Sequence, residues 1–308
     1  MCDEFEAFLH AYGADMLPHQ NTTKMQAILL VLTYIVTAGL SWRQVDGLLI
    51  LINTLFGQDV LPRTKYMLRK IWKNRQEYML RLHFFCATCF EHLDSRAYAS
   101  KGNTFKCNTC NLTLTQEKLI SSGSFFVMFN LKQQLQIMLK HVGETLYCRL
   151  RKLSAVPRTE SVYSDITDGQ LYRMLRDKLR LRWSDFTITF NSDGSPAFKS
   201  SKSSVWPLQV MINELPIRTR WCNLIVCGLW FSKVHPPVPL FMMSFVHMFN
   251  EVGEIVWKAA NTVVNSRVYA VCCVADSPAR AAILNGKLFN GYYGCSWCLK
   301  KGELVNGH

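Results

Sequence analysis

Residues 268–276 (VYAVCCVAD) decide the fold class of this 308-residue chain. The first eight are apolar without interruption, which predicts a strand covered on both faces at the centre of a sheet. The next residues predict a helix, because Ser277 can cap it and Pro278 suits its first turn. The stretch therefore predicts a central strand that ends at Asp276 and leads directly into a helix.

The segment before this strand predicts three more strands and another helix. Alternating apolar and polar residues, bounded by turn residues, predict strands at 186–191, 205–212 and 222–231. An apolar helix is predicted at 241–259. The resulting order is three strands, a helix, a strand and a helix, which is the order of the RNase H-like fold.

Asp193 and Asp276 are the candidate catalytic residues. In an RNase H-like fold, one acid on the first strand and another at the end of the fourth hold two Mg²⁺ or Mn²⁺ ions for phosphoryl transfer. Each acid alone has an ordinary explanation, since Asp193-Gly194 is a common turn pair and Asp276 can simply begin a helix. The pair in this order predicts a catalytic metal site.

Two Cys-x2-Cys pairs predict a structural zinc site. Seventeen residues separate the pairs, which are Cys86 with Cys89 and Cys107 with Cys110. This spacing is typical of four-thiolate zinc sites, which fill the tetrahedral shell and leave no open position for chemistry. The alternative is four ordinary thiols of a reduced protein. His83 and His92 flank the first pair and are interpreted as bystanders.

The charge of the chain indicates a polyanionic partner. The formal net charge is +13, which favours nucleic acid first and an anionic membrane surface second. A 49% hydrophobic composition excludes disorder as the main state. The acidic N-terminus is unlike a signal peptide, so an intracellular location is expected and the twelve cysteines are interpreted as metal ligands before disulfides.

Basic side chains are densest in residues 145–182, which carry nine basic and four acidic residues. Such a segment could follow a phosphate backbone. It could equally be a solvated helix face whose other side docks through Leu171, Leu175 and Leu179. The candidate nucleic-acid contacts are Arg149, Arg151, Lys152, Arg173, Arg176, Arg180, Lys199 and Lys202.

Residues 1–80 predict a small helical domain. Residues 25–42 contain no charge and predict a buried core helix, with a membrane span as the alternative. Ser41 and Gln44 form a capping-box pattern that begins a second helix, and Gly57 ends it. The whole chain is thus predicted to be an α+β multidomain protein, with a helical domain at 1–80, a zinc ribbon at 81–112, a helical, basic connecting segment at 113–182 and an incomplete RNase H-like core at 183–308.

Several long motifs resemble the transposases of CACTA (En/Spm-type) DNA transposons. They are residues 191–196 (NSDGSP), 198–207 (FKSSKSSVWP), 212–216 (INELP), 228–231 (GLWF), 275–280 (ADSPAR) and 289–299 (FNGYYGCSWCL). The N-terminal part, with its cysteine pair after His83, is similar to the animal branch of this family. The resemblance covers most of the chain.

This resemblance implies a DDE-type core that cuts DNA at transposon ends and joins the freed 3′-hydroxyl to target DNA, using metal ions. It matches Asp193 and Asp276 to the first two acids of the family, and Cys295 and Cys298 to half of a second zinc site. It also implies a nuclear, DNA-binding protein with no small-molecule substrate and no membrane association. Homo-oligomerisation is left open.

The chain departs from the family pattern at its C-terminal end. It stops at His308, ten residues past Cys298, before the fifth strand, the histidine pair and the third acid of the family. We therefore expect a C-terminally truncated transposase that does not transpose as written. The alternative is a non-catalytic, transposon-derived zinc module that binds DNA or protein.

Three tryptophans in the second half of the chain have two interpretations. They are Trp221, Trp230 and Trp297. Each could lie in the core or could stack on extruded DNA bases. The core position is the expectation for all three.

Overall fold

The computed structural model describes residues 23–76, 80–97, 104–155, 163–196, 204–232, 236–298 and 300–303. The chain divides into two compact units, residues 1–78 and residues 79–308. The first unit is helical, and the second combines one large sheet with several helices. The protein is therefore of mixed α+β class.

Three helices are described in the first unit. They are α1 (Lys24–Thr37), α2 (Trp42–Phe56) and α3 (Lys65–Gln76). The predicted capping box at the start of α2 is confirmed, because the Ser41 hydroxyl accepts from the Gln44 N–H and the Gln44 side chain accepts from the Ser41 N–H. The predicted end is confirmed as well, since Gly57 adopts a left-handed φ of 67°.

The charge-free stretch at 25–42 forms α1 and the turn after it. Ile28 and Ile35 of α1 are buried in the core of the first unit. The helix is not covered on all sides as expected, because Leu30 and Val36 are 66% and 75% exposed. Among the described residues, no helix has the length and apolar character needed to cross a membrane.

The second unit contains eleven described strands. They are β1 (Leu80–Phe85), β2 (His92–Ala97), β3 (Thr104–Cys107), β4 (Leu112–Thr115), β5 (Phe125–Phe129), β6 (Phe186–Ser192), β7 (Ser195–Pro196), β8 (Ser204–Ile212), β9 (Ile225–Ser232), β10 (Glu254–Ala259) and β11 (Thr262–Val274). The α-helices are α4 (Gln116–Ser121), α5 (Leu131–Ala155), α6 (Gln170–Lys178), α7 (Ile217–Cys222), α8 (Val238–Asn250) and α9 (Ser277–Ile283).

The main sheet has the order β10-β11-β6-β8-β9-β5-β1-β2, with β7 paired to β8. The neighbours β6 and β11 are parallel, and the other pairs are antiparallel. A separate hairpin is formed by β3 and β4. The middle of the sheet thus reads β9-β8-β6-β11, three antiparallel strands followed by a fourth that runs parallel to the first in sequence.

The strands predicted at 186–191, 205–212 and 222–231 are confirmed as β6, β8 and β9, although α7 occupies residue 222. The helix predicted at 241–259 is wrong in its second half. It ends at Asn250, and residues 254–259 form β10, where Ile255, Trp257 and Ala259 are buried in alternation with exposed residues. This period of two is typical of a strand with one covered face.

The predicted central strand at 268–275 also differs from expectation. It is the second half of β11, which begins at Thr262, and it pairs with β6 along one edge. Its end is not covered on both faces, since Val274 is 54% exposed. The prediction from the continuous apolar sequence therefore overestimated how much of this strand is buried.

Helices α5 and α8 share one hydrophobic core with the sheet. Leu135, Leu139 and Leu146 of α5 and Phe241 of α8 belong to the same buried cluster as Ile188 of β6. Helix α5 crosses β10 closely at Gly143, where an added Cβ would lie 3.0 Å from the Lys258 carbonyl oxygen and 3.2 Å from the Trp257 ring. The absence of a side chain allows this approach.

Thr187 and Thr189 of β6 take part in a buried hydrogen-bond network with Glu214 and Asn213. The Glu214 carboxylate is fully buried and accepts hydrogen bonds from the Thr187 N–H, the Thr187 hydroxyl (2.9 Å) and the Tyr172 hydroxyl (2.6 Å). Burial raises the pKa of Glu214. Helix α6 therefore docks through Tyr172. The alternative of docking through three leucines is wrong for Leu171 and Leu179, which are 67% and 40% exposed, whereas Leu175 is half-buried.

The close approach at Gly143 predicts opposite effects of one substitution at two helical glycines. Gly143→Ala should destabilise the second unit by about 1–3 kcal/mol through overpacking against Trp257, despite the better helix propensity of alanine. Gly47→Ala, in α2 with no atom within 4 Å of the added Cβ, should stabilise the first unit by about 1 kcal/mol. Urea denaturation followed by circular dichroism measures both. An unchanged or raised midpoint for Gly143→Ala would contradict the packing argument.

Candidate metal centre and candidate active site

The two cysteine pairs lie at the tips of two hairpins. Cys86 and Cys89 follow β1, Cys107 is the last residue of β3, and Cys110 lies in the turn between β3 and β4. The four sulfur atoms all lie within 4.8 Å of one another, and Cys89 and Cys107 are 3.4 Å apart. Over the described residues, this is the only group of three or more histidine, cysteine or acidic side chains close enough to hold a metal ion. The four cysteines therefore sit close enough to bind one ion.

The two tips share a backbone feature that the sequence did not reveal. Phe90 and Asn111, which each follow the second cysteine of a pair, have positive φ angles of 61° and 53°. This conformation is uncommon for an aromatic residue. Phe90 retains it while its N–H donates to the Cys86 carbonyl oxygen at 2.8 Å and its ring stacks on Phe85. Each tip thus turns sharply after its second sulfur.

Hydrogen bonds set the ionisation of the cluster. Burial acts to raise the pKa of Cys86, but donors that include the backbone N–H groups of Cys89 and Thr88 lower it to about 7. Burial and the neighbouring Glu91 carboxylate raise the pKa of Cys107. Glu91 Oε2 accepts from the Cys107 thiol at 3.0 Å, and such donors lower the pKa of Glu91 to about 2. Cys86 thus ionises more readily than Cys107 and Cys110, whose pKa values are raised, and a thiolate is the form that binds a metal.

The two histidines beside the first pair form a contact of their own. Nδ1 of His83 lies 3.2 Å from Nε2 of His92, and the His83 ring stacks on Phe126 at 4.9 Å. Burial, followed by the charge of His92, lowers the pKa of His83 to about 4. Neither histidine belongs to the four-sulfur cluster.

The candidate acids follow the ends of two neighbouring parallel strands. Asn191 of β6 and Val274 of β11 are the last paired residues, and the Asn191 side-chain amide donates to the Val274 carbonyl oxygen at 2.7 Å. Asp193 and Asp276 each lie two residues farther along the chain, just beyond the ends of β6 and β11. Since neighbouring strands are about 4.8 Å apart, both acids leave the sheet at the same edge.

The two acids differ in what already holds them. Asp193 is exposed, whereas Oδ1 of Asp276 accepts from the Ala279 N–H at 2.7 Å and caps α9. The cap predicted at Ser277 is therefore wrong by one residue, because Asp276 has the extended backbone of an N-cap and the shorter reach to the Ala279 amide. One oxygen of Asp276 remains for another ligand.

The turn after Asp193 is held by close packing. A Cβ on Gly194 would lie 2.5 Å from the Trp206 indole, so only glycine fits against this ring. Trp206 is itself buried in the core. The backbone that carries Asp193 is therefore positioned on one side by Asn191 and on the other by Trp206.

The second cysteine pair and the tryptophans lie mostly at the surface. Cys295 and Cys298 are exposed, and no third ligand among the described residues completes a cluster with them. The Trp297 N–H donates to Cys295 Sγ at 3.4 Å and lowers the pKa of Cys295. Trp230 is buried as expected, but the core position expected for Trp221 and Trp297 is wrong, since they are 66% and 86% exposed.

The candidate nucleic-acid contacts fall into different environments. Arg151 and Lys152 are exposed at the end of α5, and Arg180 is exposed after α6, whereas Arg149 and Arg173 are half-buried. Lys199 and Lys202 lie outside the described residues.

Arg176 turns inward toward the buried network. It donates to the Tyr172 hydroxyl and to the Arg182 carbonyl oxygen, both at 3.2 Å, and it lies 3.9 Å from the Glu214 carboxylate. Its charge is thus already engaged within the second unit.

The functional pattern of the sequence assigns no role to most residues of the buried network. Glu214 and its neighbour Asn213 were noticed as part of a motif but were given no role. Asp165, which binds Arg220 with distances of 2.8 and 3.0 Å, gave no signal at all. The sequence signal for this buried network is the position of Asn213 and Glu214 directly after the apolar strand β8.

Comparisons with known proteins identify no relative of this chain. A scan against protein-family models finds no match, and a search of curated proteins finds no significant similarity.

The four-sulfur geometry predicts stoichiometric binding of a tetrahedral metal ion. Titration of the reduced protein with Co²⁺ should give the absorption of a four-thiolate site at one ion per chain. Cys86→Ser should abolish this spectrum, and the matched control Cys148→Ser, at an exposed cysteine of α5, should keep it. Equal spectra for the two variants would contradict the site.

The half-buried His83 predicts loss of stability in mild acid. Because the pKa of His83 falls from 6.5 to about 4, its neutral form is favoured in the folded state, so the stability it contributes is complete above pH 6.5 and declines as the pH falls toward 4. His83→Phe should reduce the difference between urea midpoints measured at about pH 7.5 and about pH 5. The exposed His141→Gln should leave the difference unchanged, and a wild-type-like difference in His83→Phe would refute the assignment.

Proposed function

We propose that the second unit is a DDE-type DNA transposase core with RNase H-like topology, in which Asp193 and Asp276 are the first two metal-binding acids. The observation that carries the proposal is the parallel pairing of β6 with β11, which ends at Asn191 and Val274. Each acid lies two residues beyond this last pair. Two carboxylates at adjacent strand ends form the arrangement that phosphoryl-transfer metal sites use.

The strand order supports the same proposal. The middle of the sheet, β9-β8-β6-β11, has three antiparallel strands in sequence and a fourth strand parallel to the first. Helix α8 lies between the third strand and the β10–β11 hairpin in sequence, and α9 follows the fourth strand. Sequence motifs that resemble CACTA transposases coincide with these elements, including the segments that carry both acids.

The donor set fits Mg²⁺ or Mn²⁺. Both ions prefer carboxylate oxygens, and Asp193 is exposed while Asp276 retains one oxygen after capping α9. A bound ion would activate a water or 3′-hydroxyl and stabilise the leaving oxygen of the phosphodiester. The chain itself would orient these carboxylates through the Asn191 amide and the Trp206 ring.

The four-cysteine cluster is proposed to hold a structural zinc ion. Four thiolates are the usual ligands of such sites, and the cluster joins the β1–β2 hairpin of the main sheet to the separate β3–β4 hairpin. The exposed Arg151, Lys152 and Arg180 are proposed to contact the DNA backbone. A nuclear location follows from the same proposal.

The second candidate function is a non-catalytic zinc module that binds DNA or protein. The cluster of four sulfurs favours it, because a site of this kind organises a fold without requiring the acids at all. The two candidates differ in one property. The transposase core needs divalent-metal binding at Asp193 and Asp276, and the zinc module does not.

Manganese binding separates the two candidates. In zinc-loaded full-length protein, Asp193→Asn and Asp276→Asn should each weaken Mn²⁺ binding, measured by electron paramagnetic resonance, by roughly tenfold or more. Asparagine at 276 can still cap α9, so the fold is retained. Asp177→Asn, at an exposed acid of α6, is the matched control.

Plasmid nicking in Mn²⁺ provides the second readout. Any nicking by the wild type should be lost in Asp193→Asn and kept in Asp177→Asn. Equal Mn²⁺ affinity in all variants would contradict the transposase proposal and favour the zinc module. Retained nicking in Asp193→Asn would show that the activity does not come from this pair.

A further inference from the structure

The segment after α9 exposes an unusual set of aromatic rings. Phe289, Tyr292, Tyr293 and Trp297 are 67%, 53%, 57% and 86% exposed. Exposed large apolar side chains are ordinary when scattered, but these four lie between residues 289 and 297, and such a dense group marks a candidate binding surface. We call the described residues 284–298 and 300–303 the aromatic segment.

Cations accompany these rings. Residues 277–303 contain Arg280, Lys287, Lys300 and Lys301 against one acidic residue, Glu303. The Arg280 guanidinium lies 5.8 Å from the centre of a Trp297 ring, and Lys301 Nζ lies 5.1 Å from that of Tyr292. The surface therefore offers positive charge beside exposed ring faces.

The aromatic segment has internal hydrogen bonds that fix its shape. The Gly302 N–H donates to the Tyr292 carbonyl oxygen, which closes the loop and brings Lys301 to the Tyr292 ring. A Cβ on Gly294 would lie 2.8 Å from the Phe289 backbone, so the chain folds tightly there. Arg280 Nη1 donates to Ser296 Oγ at 3.1 Å and ties the segment to α9.

We propose that the aromatic segment binds single-stranded nucleic acid, with bases stacked on Trp297 and its neighbouring rings and phosphates paired with the lysines. Rings interleaved with cations are the general recognition device for single strands, because each base presents a face for stacking and each nucleotide a negative charge. In a duplex these base faces are covered. An apolar protein partner would fit the rings but would leave the four cations without counterparts.

This binding requires neither Asp193 nor Asp276, so it stands or falls independently of the proposed catalysis. The aromatic segment also lies near the proposed metal site in sequence. The segment begins directly after α9, whose first residue follows Asp276.

Fluorescence anisotropy of the full-length protein tests the proposal without added divalent metal. The probes are fluorescein-labelled oligo(dT), an abasic oligomer of equal length and phosphate number, and a duplex. Wild-type protein should bind oligo(dT) at least roughly fivefold more tightly than the abasic oligomer, as stacking of one base predicts. Trp297→Ala should lose this preference, and Trp297→Phe should keep part of it.

Matched variants separate stacking from charge. Trp221→Ala removes another exposed tryptophan, on α7, and should leave the preference intact. Lys300→Gln combined with Lys301→Gln should weaken both single-stranded probes equally and reduce the salt slope by roughly 1.4. Asp177→Asn, at an exposed acid of α6 outside both proposed sites, should bind like the wild type.

Three outcomes would overturn the proposal. They are equal affinity of the wild type for oligo(dT) and the abasic oligomer, equal behaviour of Trp297→Ala and Trp221→Ala, and tighter binding of duplex than of single strand. Circular dichroism of each variant verifies its fold, and the high exposure of Trp297 predicts no change there.

Discussion

The parallel pairing of β6 with β11 is the contact on which the second unit depends. These strands are separated by some seventy residues of chain, and their pairing sets the order of the sheet and the edge from which both acids emerge. Side chains hold the pairing at both ends. Asp185, just before β6, accepts from the Arg267 N–H at 2.8 Å, and Asn191 donates to Val274 at the other end.

The ionic part of this arrangement is favourable because the buried carboxylate is saturated with donors. Burial acts to raise the pKa of Asp185, but the N–H groups and guanidinium groups of Arg267 and Arg182 lower it overall. Removal of such a carboxylate would leave donors without partners, which costs more than the net value of the bonds. Glu214 likewise stabilises the start of β6, because its carboxylate accepts hydrogen bonds from the Thr187 N–H and the Tyr172 hydroxyl.

The four-cysteine cluster and the aromatic segment lie in different parts of the second unit. The cysteine cluster ties a small hairpin to the β1–β2 end of the sheet. The aromatic segment follows α9, beyond the acids. The second unit thus carries the four-cysteine cluster at one end of the sheet, and the exposed rings and charges follow α9, near the carboxylates in sequence.

The sequence alone determined the elements with strong local signals. The α2 cap at Ser41, its stop at Gly57, the strands β6, β8 and β9 and the four-cysteine site all follow from spacing, period and side-chain chemistry within short stretches. The tertiary structure decided what depends on distant partners. Residues 254–259, which have a helix-like sequence, form β10 because they pair with β11. Tyr172 is buried because its hydroxyl binds the Glu214 carboxylate, and Trp297 is exposed because no described element covers it. Such outcomes depend on contacts between residues far apart in the chain, and no local pattern records them.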